Sequence, residues 1–418
     1  MPHGSSNTAS SLSPHHEPDQ APRRIRPARI HDDAQAIASA HELAADFALG
    51  AAERDRERGL PWREIERYTA SGLGGITVPR EYGGAEVSHV TLADVFRIIS
   101  AADPSLGQIP QNHFGFLNLL RLTGTPAQQR RYYDGVLDGY RLGNAGPERH
   151  TKHTSDIEAR LTPDGDGYRV SGRKFYSTGA LFAHWIPAKV LDTEGRLVTL
   201  ILERGAPGLS VVDDWSSFGQ RTTASGTVLL DNVRVEPHAI LPAWQAQQAS
   251  VLIGPFAQLM QAAIDVGIAE GALQDAVAFL RERSRPWVEA NVERATQDPY
   301  VIADVGQLYI ELHAAQALLT EAAQHLDDAR GRALNGDDVA AASISVARAK
   351  ALSTEIALAA SEKLFELSGA RASLAEFNLD RHWRNARTHT LHDPVRWKYH
   401  AVGHYVLNGQ RPNRHSWI

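Results

Sequence analysis

The sequence contains no cysteine. Disulfides, thiolate metal sites and cysteine nucleophiles are thereby excluded, and the redox compartment stays undetermined. No apolar run is long enough to cross a bilayer. Positive charge is not in excess: 43 Lys and Arg stand against 49 Asp and Glu, a formal net charge of −6. Non-specific nucleic-acid binding is therefore not expected of the chain as a whole. What remains is an ordinary globular composition, 43% hydrophobic and 22% charged over 418 residues, enough for two or three domains sharing a large core.

Residues 1–30 read as a disordered tail rich in Ser, Pro and Arg. His15 and His16 in such a tail are solvated rather than metal-bound. No apolar segment follows Arg23-Arg24, so an export signal is not indicated and a cytoplasmic protein is expected. From His31 the spacing of Ala36, Ile37, Ala40, Leu43, Ala44 and Phe47 predicts a helix with one buried face. Pro61-Trp62 opens a second helix. Gly72–Gly84 reads as a short extended piece and a turn. No Lys-Ser or Lys-Thr pair follows it, so it is not a phosphate loop. Asp103-Pro104 caps a further helix that carries His113 in an apolar setting, where a buried imidazole bonded to a backbone carbonyl is the plain reading.

Composition shifts near Leu142. Residues 142–242 favour strands and tight turns, with a hairpin turn at Asp164-Gly165-Asp166-Gly167 and strands over 198–202, 209–212 and 227–235. Helical spacing returns after Pro242: 257–280, 302–327, 339–366, and a fourth stretch over 374–407. The predicted architecture is a disordered tail (1–30), an N-terminal helical domain (31–141), a central β domain (142–242) and a C-terminal four-helix bundle (243–418).

The last stretch is the most unusual. His382, His389, His392, His400 and His404 lie among Arg381, Arg384, Arg387 and Arg396, and Asp380 and Asp393 are the only acids after Glu376. His389, His392 and Asp393 resemble a metal-ligand set in composition, but their spacing and Pro394 set a metal site aside.

The domain order resembles the acyl-CoA dehydrogenase fold, and local patterns agree. The segment 72–84 is similar to the family's G-L-x-x-I-x-x-P-x-x-Y-G-G, and Thr154-Ser155-Asp156 to its G-S-D turn. Lys174-Phe175-Tyr176-Ser177-Thr178-Gly179 sits where the family has a lysine, an aromatic and a hydroxyl residue at the flavin, and Phe218-Gly219-Gln220-Arg221 resembles its F-G-x-R. The resemblance runs from about residue 31 to the end. The departures point to a branch. A dehydrogenase needs a desolvated carboxylate as base, but T-H-T-L-H-D-P places histidines in that C-terminal region, and the helix opening the bundle offers glutamines. Asp393, followed by Pro394, reads as capping the turn. R-N-A-R-T-H-T-L-H-D-P-V-R-W-K-Y, with R-E-R-S-R-P-W at 281–287, resembles the flavin-dependent monooxygenases of this fold, the dibenzothiophene-monooxygenase-like and sulfur-acquisition enzymes.

That resemblance implies FMN taken up as FMNH2 from a separate flavin reductase, with FAD as an alternative. It implies molecular oxygen adding at the flavin C4a position, and oxygen transfer from that (hydro)peroxide to an organosulfur substrate. It also implies a homotetramer and no nucleic-acid or membrane partner. Residue by residue, it implies His392 and His113 as imidazoles facing the reacting oxygen and Thr178 as the hydroxyl at flavin N5. Ser177 is the neighbouring choice for that hydroxyl, and Asn144 and Trp215 form the surface under the ring. Arg283 and Arg285 are implied for the flavin phosphate from a neighbouring subunit, and His389 shares or takes the role of His392. Two rivals keep the fold: an acyl-CoA dehydrogenase with an atypical base, and an N-oxidising monooxygenase.

Overall fold

The computed structural model describes residues 22–418. Seven helices form the N-terminal part: α1 (Asp33–Ala48), α2 (Ala51–Glu57), α3 (Trp62–Ser71), α4 (His89–Ala102), α5 (Pro104–Gln108), α6 (Gln111–Thr123) and α7 (Pro126–Leu137). Their starts follow local chemistry. Asp32 accepts the Gln35 N–H at 2.8 Å, and the Asp103 carboxylate accepts the Ser105 N–H at 3.0 Å. α1 buries Ala36, Ala40, Leu43 and Phe47, the face its periodicity predicts. The 72–84 segment is two 3-10 turns, Leu73–Gly75 and Arg80–Tyr82, rather than an extended piece.

Of the tail expected to be disordered, residues 1–21, with His15 and His16, lie outside the described residues. Residues 22–30 run extended along the helical domain instead. The Ala28 N–H donates to the Ala70 carbonyl at 2.8 Å, and the Arg24 guanidinium lies 5.0 Å from the Tyr140 ring centre. Gly139 makes room for this strap: a Cβ there would sit 2.0 Å from the Ile25 carbonyl oxygen.

The β part comprises β1 (Leu161–Asp164), β2 (Gly167–Lys174), β3 (Trp185–Leu191), β4 (Leu197–Glu203), β5 (Leu209–Val212), β6 (Thr227–Val235) and β7 (Ile240–Leu241). Two antiparallel sheets, ordered β1-β2-β6-β5 and β3-β4-β7, enclose a core that includes Val170, Ile186, Val190, Leu200, Val228 and Val233. β1 and β2 pair Asp164 with Gly167, closing the hairpin on Gly165-Asp166.

The C-terminal part has α8 (Ala243–Gln248), α9 (Ile253–Glu282), α10 (Pro299–Asp328), α11 (Gly336–Ser368), α12 (Asp380–His389) and α13 (Arg396–Asn408). The fourth bundle helix is therefore not continuous: Pro394 has no N–H to continue the ladder, and the chain turns between His389 and Arg396. α13 buries only Lys398. α9 is buried along most of its length, including Leu259, Val266, Leu273 and Leu280; each such side chain contributes about 1.5–3 kcal/mol by leaving water. Among the described residues no helix is long and apolar enough to span a membrane.

Candidate functional site

The turn after β2 and the loop between β5 and β6 are joined by a row of hydroxyls. Thr178 Oγ1 lies 2.7 Å from Ser225 Oγ, which lies 2.7 Å from Thr223 Oγ1, which donates to the Gln220 carbonyl at 3.0 Å. The Trp215 indole N–H donates to the same carbonyl at 2.9 Å, and its ring meets Tyr176 edge-on at 6.2 Å. Asn144 donates from Nδ2 to the Tyr176 carbonyl at 3.0 Å. Asn144, Ser177, Thr178 and Trp215 are thus gathered at one place. Three non-glycine residues here, Tyr176, Gln220 and Ala224, have positive φ of 56°, 50° and 46°, a strained backbone of the kind that clusters at binding sites. Lys174 does not join them. Its ammonium is fully buried, 2.6 Å from the Lys189 carbonyl and paired with Glu148, so the motif's lysine is structural.

This loop is clamped onto α12. The Gln220 N–H donates to Asn385 Oδ1 at 2.6 Å, and Arg384 donates to the Phe218 carbonyl at 3.0 Å. Gly219 permits the contact, since a Cβ there would lie 1.8 Å from the Arg384 carbonyl oxygen. Gly219→Ala is expected to destabilise the fold by about 1–3 kcal/mol, as overpacking does. It should also loosen the loop from α12. A thermal midpoint within error of the parent would show that the contact is not needed.

At the end of α12, His389 is buried. Its Nδ1 is in close contact with Asp265 Oδ1 of α9, and its Nε2 lies 3.1 Å from the Gln108 amide at the end of α5. Asp265 is wholly buried and also takes the Lys350 ammonium and the Thr354 hydroxyl, the latter at 3.0 Å. Burial alone would raise the Asp265 carboxyl; Lys350 and His389 overcome it and hold it below the usual carboxylate range. Burial lowers His389, and Asp265 opposes that shift. His392, one turn on, is partly exposed and shares Asp393 Oδ1 at 2.9 Å. Asp393 is buried rather than a simple turn cap: its other oxygen lies 2.8 Å from the Lys398 ammonium. Burial would raise it, and His392, Lys350 and Lys398 push it far below the ordinary carboxylate range.

His113 is not an imidazole free to face a reacting oxygen. Its Nδ1 accepts the Leu142 N–H at 3.1 Å, which leaves Nε2–H to donate to the Gly74 carbonyl at 2.8 Å. Both ring nitrogens are spent on backbone, and burial lowers its pKa to about 4. The ring instead ties the N-terminal helices to the first residues of the β part. Arg283, at the end of α9, places its guanidinium 5.1 Å from the Phe377 ring centre. Arg285 is exposed and has no ion-pair partner among the described residues. No cluster of metal ligands occurs among the described residues.

The buried atoms left without partners suit a flat ring with polar edges. Ser177 Oγ and both ends of the Gln220 amide are buried and unpaired, and both residues belong to the loops that carry Thr178 and Trp215. Buried polar groups are nearly always hydrogen-bonded, and a flavin ring would supply acceptors and a donor here.

Comparison with known proteins agrees. Residues 31–140 match the acyl-CoA dehydrogenase N-terminal domain and residues 259–397 the acyl-CoA dehydrogenase C-terminal domain. A dibenzothiophene monooxygenase of Rhodococcus erythropolis is 37% identical over 93% of this chain and 97% of its own. A probable FMNH2-dependent monooxygenase of Pseudomonas putida is 33% identical over 90% of this chain and 96% of its own. The crystal structure of FMN-bound TdsC from Paenibacillus sp. A11-2 superposes with a TM-score of 0.88 at 33% identity, covering 92% of this chain and all of that one. The chain belongs to the acyl-CoA dehydrogenase family. Within it, the relatives place the chain in the flavin monooxygenase branch. Sequence reasoning did not single out Gln108, Asp265 and Lys350, which the structure brings together with His389. The signal was present for Asp265, which interrupts the buried run A-A-I-D-V-G-I; Lys350, in A-R-A-K-A-L beside the exposed Arg348, is marked as buried only by the structure.

Proposed function

We propose that the protein is a reduced-flavin-dependent monooxygenase that takes FMNH2 from a separate reductase. It transfers one atom of molecular oxygen to the sulfur of an organosulfur compound, the other atom leaving as water. One observation supports oxygenation over dehydrogenation more than any other. The two carboxylates at the end of α12, Asp265 and Asp393, are both ion-paired and both held below the ordinary range. Neither is a desolvated base tuned toward neutral pH, as proton removal next to a thioester would need. The groups left to move a proton there are imidazoles.

FMNH2, when bound, supplies the electron pair that activates oxygen. The chain's own residues do the rest. Ser177, Thr178 and Gln220 would hold the ring's polar groups, with Asn144 and Trp215 beside them in the same site. His392, with Nδ1 on Asp393, keeps Nε2 free to give and take a proton at the reacting oxygen. His389, held at both nitrogens by Asp265 and the Gln108 amide, orients groups at the site rather than meeting the reacting oxygen. Arg285 reaches the phosphate of a neighbouring subunit's flavin in a homotetramer. Its exposed guanidinium and the exposed Trp287, Val288, Tyr300 and Ile310 nearby in the chain support that assembly.

A coupled assay with a flavin reductase, oxygen and a panel of sulfur compounds tests the reading. Mass spectrometry should show one added oxygen, with FMN preferred over FAD. Steady oxidation of an acyl-CoA without a reductase, or oxygen added only to amines, would replace it.

A further inference from the structure

The Lys350–Asp265–His389–Gln108 chain crosses four helices, α11, α9, α12 and α5. It does so among residues that are otherwise core: Lys350 is 1% exposed, Asp265 0% and His389 4%. An ionised pair buried this deeply does not stabilise a fold better than apolar packing of the same volume would. Its geometry, however, determines the state of one imidazole. Asp265 Oδ2 is taken by the Lys350 ammonium and the Thr354 hydroxyl, so Oδ1 is left as a pure acceptor for His389 Nδ1. Nδ1 must then carry the proton. The charged or titratable groups that act on the ring are Asp265 on α9, Lys350 on α11 and His392 past the end of α12. Lys350 already neutralises Asp265, so a second cation here would be buried without a counter-charge of its own. That lack of a counter-charge favours a neutral ring with its lone pair at Nε2.

The consequence falls on Gln108. The structure sets Gln108 Oε1 3.1 Å from Nε2. A lone pair at Nε2 requires an N–H there instead, so the amide must be turned end for end, which leaves its oxygen as the end with no partner among the described residues. We propose that Asp265 and Lys350 are positioning residues of the monooxygenase site, fixing the Nδ1–H tautomer of His389 and, through it, the acceptor end of the Gln108 amide. The functional half rests on the reading given under Proposed function; the tautomer does not.

The test is nitrogen-15 NMR of the histidine side chains in the full chain, without flavin or substrate, assigned by comparison with His389→Gln. At neutral pH, His389 should show a protonated Nδ1 and an unprotonated Nε2. In Asp265→Asn, Lys350 and Thr354 keep the amide oxygen. The new NH2 then faces Nδ1, so the proton should move to Nε2. With reductase and substrate, kcat should fall about a hundredfold, as loss of an outer-shell positioning partner does, with KM changed little. Asp265→Glu, which keeps the acceptor, should restore the wild-type tautomer. A wild-type ring protonated at Nε2, or at both nitrogens, overturns the proposal even if Asp265→Asn fails to fold. So does a swapped tautomer with unchanged kcat. If no sulfur compound is oxygenated while the tautomer behaves as stated, the functional reading fails and the relay stands.

Discussion

His392→Ala is expected to lower the rate of oxygen transfer by about 10²–10⁴-fold, the usual worth of a placed general acid–base. Reduced FMN should still bind. The reason is the division of labour at the end of α12. His392 is the imidazole with one nitrogen anchored, on Asp393 at 2.9 Å, and its ring partly exposed. Removing the ring leaves Asp393 its Lys398 partner at 2.8 Å, so no buried charge is orphaned and the fold should survive. The loss should therefore appear in kcat and kcat/KM together, as it does when an interaction is made only in the transition state. Single-turnover mixing of the reduced enzyme with oxygen and substrate measures it. An unchanged product yield and rate would return His392 to the surface.

Lys350→Met is expected to destabilise the protein by about 3–5 kcal/mol, the cost of removing one partner from a buried ion pair. Asp265 is wholly buried, and with Lys350 gone it keeps only the Thr354 hydroxyl and the His389 ring. The sign with pH follows. In the parent, the Asp265 carboxyl is held below its ordinary value, so the pair's contribution is complete above the unfolded carboxyl's pKa and is lost as pH falls through the folded one. In Lys350→Met, burial acts unopposed and raises that carboxyl. The variant then takes up a proton on Asp265 more readily than the unfolded chain does, and its deficit against the parent should shrink as pH falls. Urea midpoints at neutral and at mildly acidic pH would show this. A deficit independent of pH would mean that the ammonium, and not the abandoned carboxylate, carries the effect.

Much of this protein was legible in order along the chain. The periodicity of Ala36 to Phe47, the hairpin turn at Gly165-Asp166 and the long helices after Pro242 are local signals, set by 3.6-residue spacing, turn chemistry and Pro or Gly punctuation. Their succession was enough for the fold and the family. The imidazole-rich end of α12 was legible too, because a motif of neighbouring residues is a one-dimensional object. The extended strap of residues 22–30 was not, since its order comes from Tyr140, Ala70 and the gap at Gly139 rather than from its own composition.

The sequence by itself determined which residue types are available: no thiol, and in the C-terminal motif histidines with a single acid, Asp393, set before a proline. Only the tertiary structure decided which ring nitrogens of the chain's histidines are already bonded, and to what. His113 reads from its apolar setting as a ring bonded to a backbone carbonyl, but only the structure names the partners, the Gly74 carbonyl and the Leu142 N–H from distant segments. His389 looked like a spare, yet a carboxylate 124 residues away and an amide 281 residues away hold both of its nitrogens. A proton's place on an imidazole is set by whatever lies within about 3 Å of each nitrogen, and separation along the chain says nothing about that distance until the helices pack.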